Sequence, residues 1–135
     1  MAKIFVDKDK FVQIITNLIE NSAKYSPDDS IVTIKACGEG DYVSLKFTNY
    51  GIGIDEKDYS KIFTKFSRLD NPLTRKVQGS GLGLFISKTL ADKMDGSLSV
   101  ESVAAENDAD LSKITFTLNL PVKNIEEQAR IKCGR

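Results

Sequence analysis

At 135 residues and 41% hydrophobic content, the chain is long enough to bury one core and too short for two comfortable domains. Lys+Arg and Asp+Glu both number 19, so no net field gathers nucleic acid or anionic lipid, and any phosphate recognition has to be local. A histidine count of zero excludes an imidazole of this chain as general base, zinc ligand or phosphoacceptor. No run approaches the roughly 18 apolar residues of a membrane span, and Met1-Ala2-Lys3 does not open a signal peptide, so the chain reads as soluble. Cys37 and Cys133 have neither metal-ligand spacing nor the density of a disulfide scaffold, and reduced thiols are expected.

In chain order, Ile4 to Val6 is a candidate short strand. From Asp7 to Tyr25, Phe11, Ile14, Ile15, Leu18, Ile19 and Ser22 recur at i, i+3, i+4, i+7 spacing, with Asp7 as cap and Pro27 as stop, which predicts a helix. Ile31 to Ala36 and Tyr42 to Thr48 alternate and are rich in β-branched and aromatic residues, and Gly38-Glu39-Gly40-Asp41 between them predicts an antiparallel hairpin. Asp55 to Phe66 carries Tyr59, Ile62, Phe63 and Phe66 on one side of a short helix. Ser67 to Ser80 has little periodicity and predicts a long loop, a length that is usually functional or disordered. Leu82, Ile86, Leu90 and Met94 recur every fourth residue ahead of Gly96, predicting a second long helix with that glycine as its stop. Strands over Ser97 to Glu101 and Ile114 to Leu120 complete the order β-α-β-β-α-α-β-β, which one sheet covered on one face by helices satisfies.

Glycines cluster twice, at Gly51-Ile52-Gly53 and at Gly79-Ser80-Gly81-Leu82-Gly83. Lacking Cβ, they let backbone N–H groups approach a flat base or a phosphate. The second cluster opens a helix, where unpaired N–H groups and the macrodipole favour anions. It lacks the Gly-Lys-Ser/Thr ending of a P-loop and follows a polar loop instead of the strand that a Rossmann fingerprint needs. Asn17, Asn21 and Lys24 form one stripe on the first helix, where Asn21 is a hard-metal ligand by type and Lys24 a cation. A solvated polar border has the same pattern. Arg75 and Lys76 in the long loop read equally as phosphate contacts or as solvated cations, and Phe63 and Phe66 as core packing or as a hinge.

These residues carry a family resemblance. Asn17-Leu18-Ile19-Glu20-Asn21-Ser22-Ala23-Lys24-Tyr25 resembles the N box of bacterial sensor histidine kinases, and Asn49-Tyr50-Gly51-Ile52-Gly53-Ile54 their G1 box. Ile62-Phe63-Thr64-Lys65-Phe66-Ser67-Arg68 is similar to the F box, and Gly79 to Leu84, which includes Gly81, Leu82 and Gly83, to the G2 box. The match runs from about Ile4 to Pro121. It implies the Bergerat fold of the GHKL ATPases: a two-layer α/β sandwich in which one mixed sheet of about five strands is covered on one face by three helices, with a mobile ATP lid. It also implies a catalytic domain over residues 1–121 and a polar tail over 122–135.

The same resemblance implies ATP and Mg²⁺ as cofactors. Asn21 would bind the metal, Lys24 and Arg68 would approach phosphates, Tyr25 would pack near the nucleotide, and Gly81 and Gly83 would offer amides to the phosphates. Ser67 to Ser80 would be the lid, with Phe63 and Phe66 hinging it. Two departures stand out. Asn49 occupies a position where the family usually has Asp to receive the adenine amine, and the amide can still accept through its oxygen. The last box, before Thr115-Phe116, lacks its glycines, which bears on an adenine contact by Thr115. Asn17 stands where gyrase-like relatives have a water-activating Glu, and an amide has no useful basicity, so slow hydrolysis is expected.

Function then divides three ways. The resemblance implies a kinase domain that donates the γ-phosphate to a histidine on a separate dimerisation domain of the same parent, with a response regulator downstream, a monomeric fragment, a homodimeric parent and a cytoplasmic location. Nucleic acid is not an expected partner, nor is insertion of the fragment into a membrane. A nucleotide-binding module without transfer activity and a serine kinase of the anti-sigma-factor type are the alternatives.

Overall fold

The computed structural model describes residues 7–27, 30–65, 82–104 and 111–122. Helix α1 spans Lys8–Lys24, strands β1 and β2 span Thr33–Glu39 and Tyr42–Gly51, helix α2 spans Gly83–Lys93, and strands β3 and β4 span Ser97–Ala104 and Ser112–Pro121. In place of the helix expected over Asp55 to Phe66 there are two single-turn 3-10 helices, Glu56–Asp58 and Lys61–Phe63. The strand expected at Ile4 to Val6 and the lid expected over Ser67 to Ser80 lie outside the described residues, as do Phe66, Arg68, Arg75, Lys76, Gly79 and Gly81.

Helix α1 begins where Asp7 accepts the Lys10 N–H at 3.1 Å, a capping bond that satisfies one of the amides with no partner inside the helix. Ile14, Leu18 and Ser22, one turn apart, are its buried face. The sheet order is β1-β2-β4-β3. The expected mixed sheet of about five strands is, among the described residues, four strands paired antiparallel throughout. The β1–β2 hairpin closes through a two-residue turn with Gly40 at φ 62, the glycine-first pattern whose twist suits flanking strands.

Period-two alternation decides which face the helices cover. Phe47, Phe116 and Val100 lie opposite one another across β2, β4 and β3, as do Leu45, Leu118 and Leu98. Most of these side chains join Ile14, Leu18, Ile62, Ala91, Ile114 and Leu120 in the buried core, with Leu45 partly buried against it. Phe63 packs edge-on against Phe116, ring centroids 6.3 Å apart, so it is a core residue whatever else it hinges. On the opposite face Cys37 is disulfide-bonded, contrary to the expectation of reduced thiols. Composition excluded a disulfide-dense scaffold, but a single bridge depends on spatial proximity, which spacing in sequence does not report.

Helix α2 also ends differently from expectation. The Gly96 N–H donates to Ala91 O at 2.9 Å and the Asp95 N–H to Asp92 O at 3.1 Å, a Schellman motif whose left-handed position is held by Asp95 at φ 60. Gly96 is needed for a different reason: a Cβ there would collide with the Asn119 carbonyl oxygen of β4. Because a left-handed conformation is costly for a residue with a Cβ, Asp95→Gly should stabilise the fold by about 0.5–1 kcal/mol. Urea unfolding should read this as a higher midpoint at unchanged slope. A lower midpoint would show that the Asp95 side chain contributes more than its backbone strain costs.

Candidate nucleotide-binding site

The C-terminal end of β2, the C-terminal half of α1 and the first turn of α2 meet at one end of the molecule. The Asn17 amide nitrogen donates to Gly83 O at 3.3 Å and to Ser87 Oγ at 3.2 Å, which fixes the start of α2 against α1. Ser87 is fully buried, and its small side chain permits that approach. Asn17, expected as a catalytic residue, here joins α1 to α2. From it the stripe runs on to Asn21, about 6 Å along the helix axis, and then to the exposed Lys24.

The start of α2 keeps the property its sequence promised. Its first intrahelical bond runs from the Ile86 N–H to Leu82 O at 2.8 Å, and the side chain of Leu82 at the cap position makes no capping bond, so the amides of Gly83 to Phe85 precede the ladder. Such a terminus favours phosphate oxygens. Leu84 itself is a partly buried core residue. Lys65 lies with its ammonium 5.3 Å from the centre of the Phe85 ring.

Gly51 meets a packing constraint. A Cβ on Gly51 would overlap the Tyr25 carbonyl oxygen, which accepts the Ile52 N–H at 3.3 Å; bare backbone here lets β2 dock on the end of α1. Gly53 is exposed and lies beside Ser112. Ile54 is partly buried against the core, and its N–H donates to Ser102 Oγ at 3.0 Å. Ser102 also donates its N–H to the Tyr59 hydroxyl at 2.8 Å and accepts that hydroxyl's proton on its carbonyl at 3.1 Å, so β3 holds the whole loop after β2.

Asn49 is 1% exposed on the helix-covered face. Its amide nitrogen donates to Ser26 Oγ at 2.9 Å, and Ser26 in turn donates to Ser22 O at 2.6 Å. Thr115 is not brought to this site. Its register partner is Thr48, with the two hydroxyl oxygens 3.5 Å apart, and both lie on the other face of the sheet. The residue opposite Asn49 is the buried Ile114. The reason is parity: adjacent strand residues point to opposite faces, and Ile114, Phe116, Leu118 and Leu120 occupy the core face. Sequence reasoning missed Ser26. Its faint signal is a hydroxyl four residues after Ser22, at the spacing of a side chain that bonds back to a helix carbonyl.

Among the described residues, two α-helices on one face of an antiparallel sheet, with the amide-bearing start of one beside the asparagine-bearing half of the other, make a site suited to an anionic, partly aromatic ligand. Residues 6–124 match the family model described as histidine kinase-, DNA gyrase B-, and HSP90-like ATPase, and the chain belongs to that family as an ATP-binding catalytic domain of the histidine-kinase type. It is 37% identical over 124 residues to the sensor histidine kinase WalK of Bacillus subtilis, covering 90% of this chain and 19% of that protein. To the sensor protein VanS of Enterococcus faecium it is 39% identical over 115 residues, 85% of this chain and 28% of VanS. The chain thus spans well under a third of the length of these curated relatives. The solved structure of the mycobacterial sensor histidine kinase MprB matches with a TM-score of 0.73 at 25% identity, over 90% of this chain and 76% of that one.

Proposed function

We propose that this domain binds Mg²⁺-ATP and donates the γ-phosphate to a histidine on another domain of a longer parent protein, in two-component signalling. The observation that carries the reading is the Asn17 contact, which seats the start of α2 against the helix that bears Asn21 and Lys24. Amides of Gly83 and Leu84, with those of Gly81 and Leu82 before them, receive phosphate oxygens there, and Lys24 and Arg68 add charge. Tyr25 lines the nucleotide, and Asn49 receives the adenine amine. The catalytic unit is residues 1–121, the tail 122–135, and the location is cytoplasmic. The expected partners are the histidine-bearing dimerisation domain and a response regulator.

The donor set fits a magnesium ion held mainly by phosphate. Among the described residues no group of three or more His, Cys, Asp or Glu side chains could hold a metal ion. A neutral amide such as Asn21, completed by phosphate oxygens and water, is the type of site Mg²⁺ accepts. When bound, the ion would supply charge neutralisation at the phosphates; the chain's own residues orient the nucleotide, and Asn17 brings no general base to water.

Calorimetry tests the assignment. Mg²⁺ should strengthen ADP binding to the unmutated chain, and Asn21→Ala should remove that dependence at a cost of about 1–3 kcal/mol, because one ligand to a doubly charged ion is lost at close range. No nucleotide binding by the unmutated chain would sink the site. The second reading, a binding module without transfer, draws on the apolar Ile114 opposite Asn49, which leaves the base end with fewer polar groups.

A further inference from the structure

We infer that Ser26 sets nucleobase selectivity, by locking the Asn49 side-chain amide in the orientation that presents its oxygen to the base; this rests on the proposed placement of Asn49 against the base. An aspartate in that position accepts a hydrogen bond through either oxygen. An asparagine has two unlike ends, one accepting and one donating, and rotation by half a turn exchanges them. The oxygen suits the exocyclic amine of adenine, whereas the NH₂ suits the exocyclic carbonyl of guanine. An asparagine here therefore needs something to hold its orientation.

The end of α1 supplies it. The helix stops at Lys24, and the Tyr25 N–H turns back to Asn21 O at 3.3 Å. Ser22 O is therefore among the terminal carbonyls that the helix ladder leaves for other donors. Ser26 Oγ donates to it at 2.6 Å. A hydroxyl has one proton, and with that proton committed, Ser26 Oγ can only accept from Asn49. The amide must then turn its NH₂ toward Ser26, as it does at 2.9 Å, and Oδ1 becomes the branch pointing away. Across the sheet the register partner of Asn49 is Ile114, whose side chain offers no competing donor or acceptor. At 1% exposure Asn49 has little water to compensate a reversed amide.

The test compares ADP and GDP binding, each with Mg²⁺, by calorimetry on the full chain. The unmutated chain should prefer ADP, and Ser26→Ala should lower the ADP-to-GDP affinity ratio about tenfold, as the loss of one orienting hydrogen bond implies. Ser26→Thr, which keeps the hydroxyl, should restore the ratio. In an Asn49→Asp background the Ser26→Ala change should leave the ratio untouched, because a carboxylate has no orientation to lose. A merely structural Ser26 would weaken both nucleotides alike in both backgrounds, and that result, or an unchanged ratio in Ser26→Ala, overturns the inference. Independently of any variant, the Asn49 NH₂ protons should show nuclear Overhauser contacts to the Ser26 β-protons, and their absence would overturn it too. An unmutated chain that binds neither nucleotide fails at the earlier step, refuting the nucleotide site itself.

Discussion

Gly51→Ala is expected to destabilise the domain by about 2–4 kcal/mol, while Gly83→Ala, in the other glycine cluster, leaves stability within about 1 kcal/mol. The difference lies in what each new methyl group meets. At Gly51 it overlaps a backbone carbonyl, Tyr25 O, which no rotamer change can move. Relief requires either that the end of β2 leave its pairing with Ser112 or that the end of α1 shift and lose the Ile52 to Tyr25 bond. Either movement also carries Asn49 away from Ser26, so nucleotide binding should fall with stability. At Gly83 the nearest heavy atom is Asn17 Cγ at 4.0 Å, an ordinary contact, and alanine is the better helix former. Thermal or urea unfolding of the two variants decides the matter. Equal effects would mean that β2 does not dock on α1 as described.

Incubated alone with γ-labelled ATP, the chain should take up no label on histidine, since it has none, and should hydrolyse ATP only slowly. Asn17 explains the second expectation. Its amide has no useful basicity, so it cannot act as the general base that takes a proton from water. Adding the cognate histidine-bearing helical domain should raise transfer from background to a readily measured level. Binding would hold an imidazole nitrogen in line with the γ-phosphorus, where a new N–P bond would form as the bond to the β-phosphate bridging oxygen breaks and ADP leaves. The product should be acid-labile and alkali-stable. A stable phosphoserine on a partner would favour the anti-sigma type of kinase, and binding without transfer to any acceptor would favour the inactive module.

The sequence by itself determined the elements whose signals are local and redundant. Periodicity located α1 and α2, alternation located the four described strands, and Asp7 marked the cap that Lys10 uses. The run of Ile114, Phe116, Leu118 and Leu120 even contained the parity that places Thr115 on the far face, although motif position suggested otherwise. That Asn17 and the second glycine cluster belong to one region was legible from the order of the boxes. Tertiary structure alone decided what depends on two segments meeting. Gly51 looks like a ligand-facing glycine in the chain, yet its constraint is a carbonyl 26 residues away in sequence, at Tyr25. Gly96 looks like a helix stop, yet Asp95 takes the left-handed turn and Gly96 makes room for β4. Ser26 carries no motif signal, because its role arises from one proton shared between the end of a helix and a buried asparagine on a strand. Local propensity encodes the conformation of a segment; close approach and the direction of a hydrogen bond exist only once the partner segment is in place.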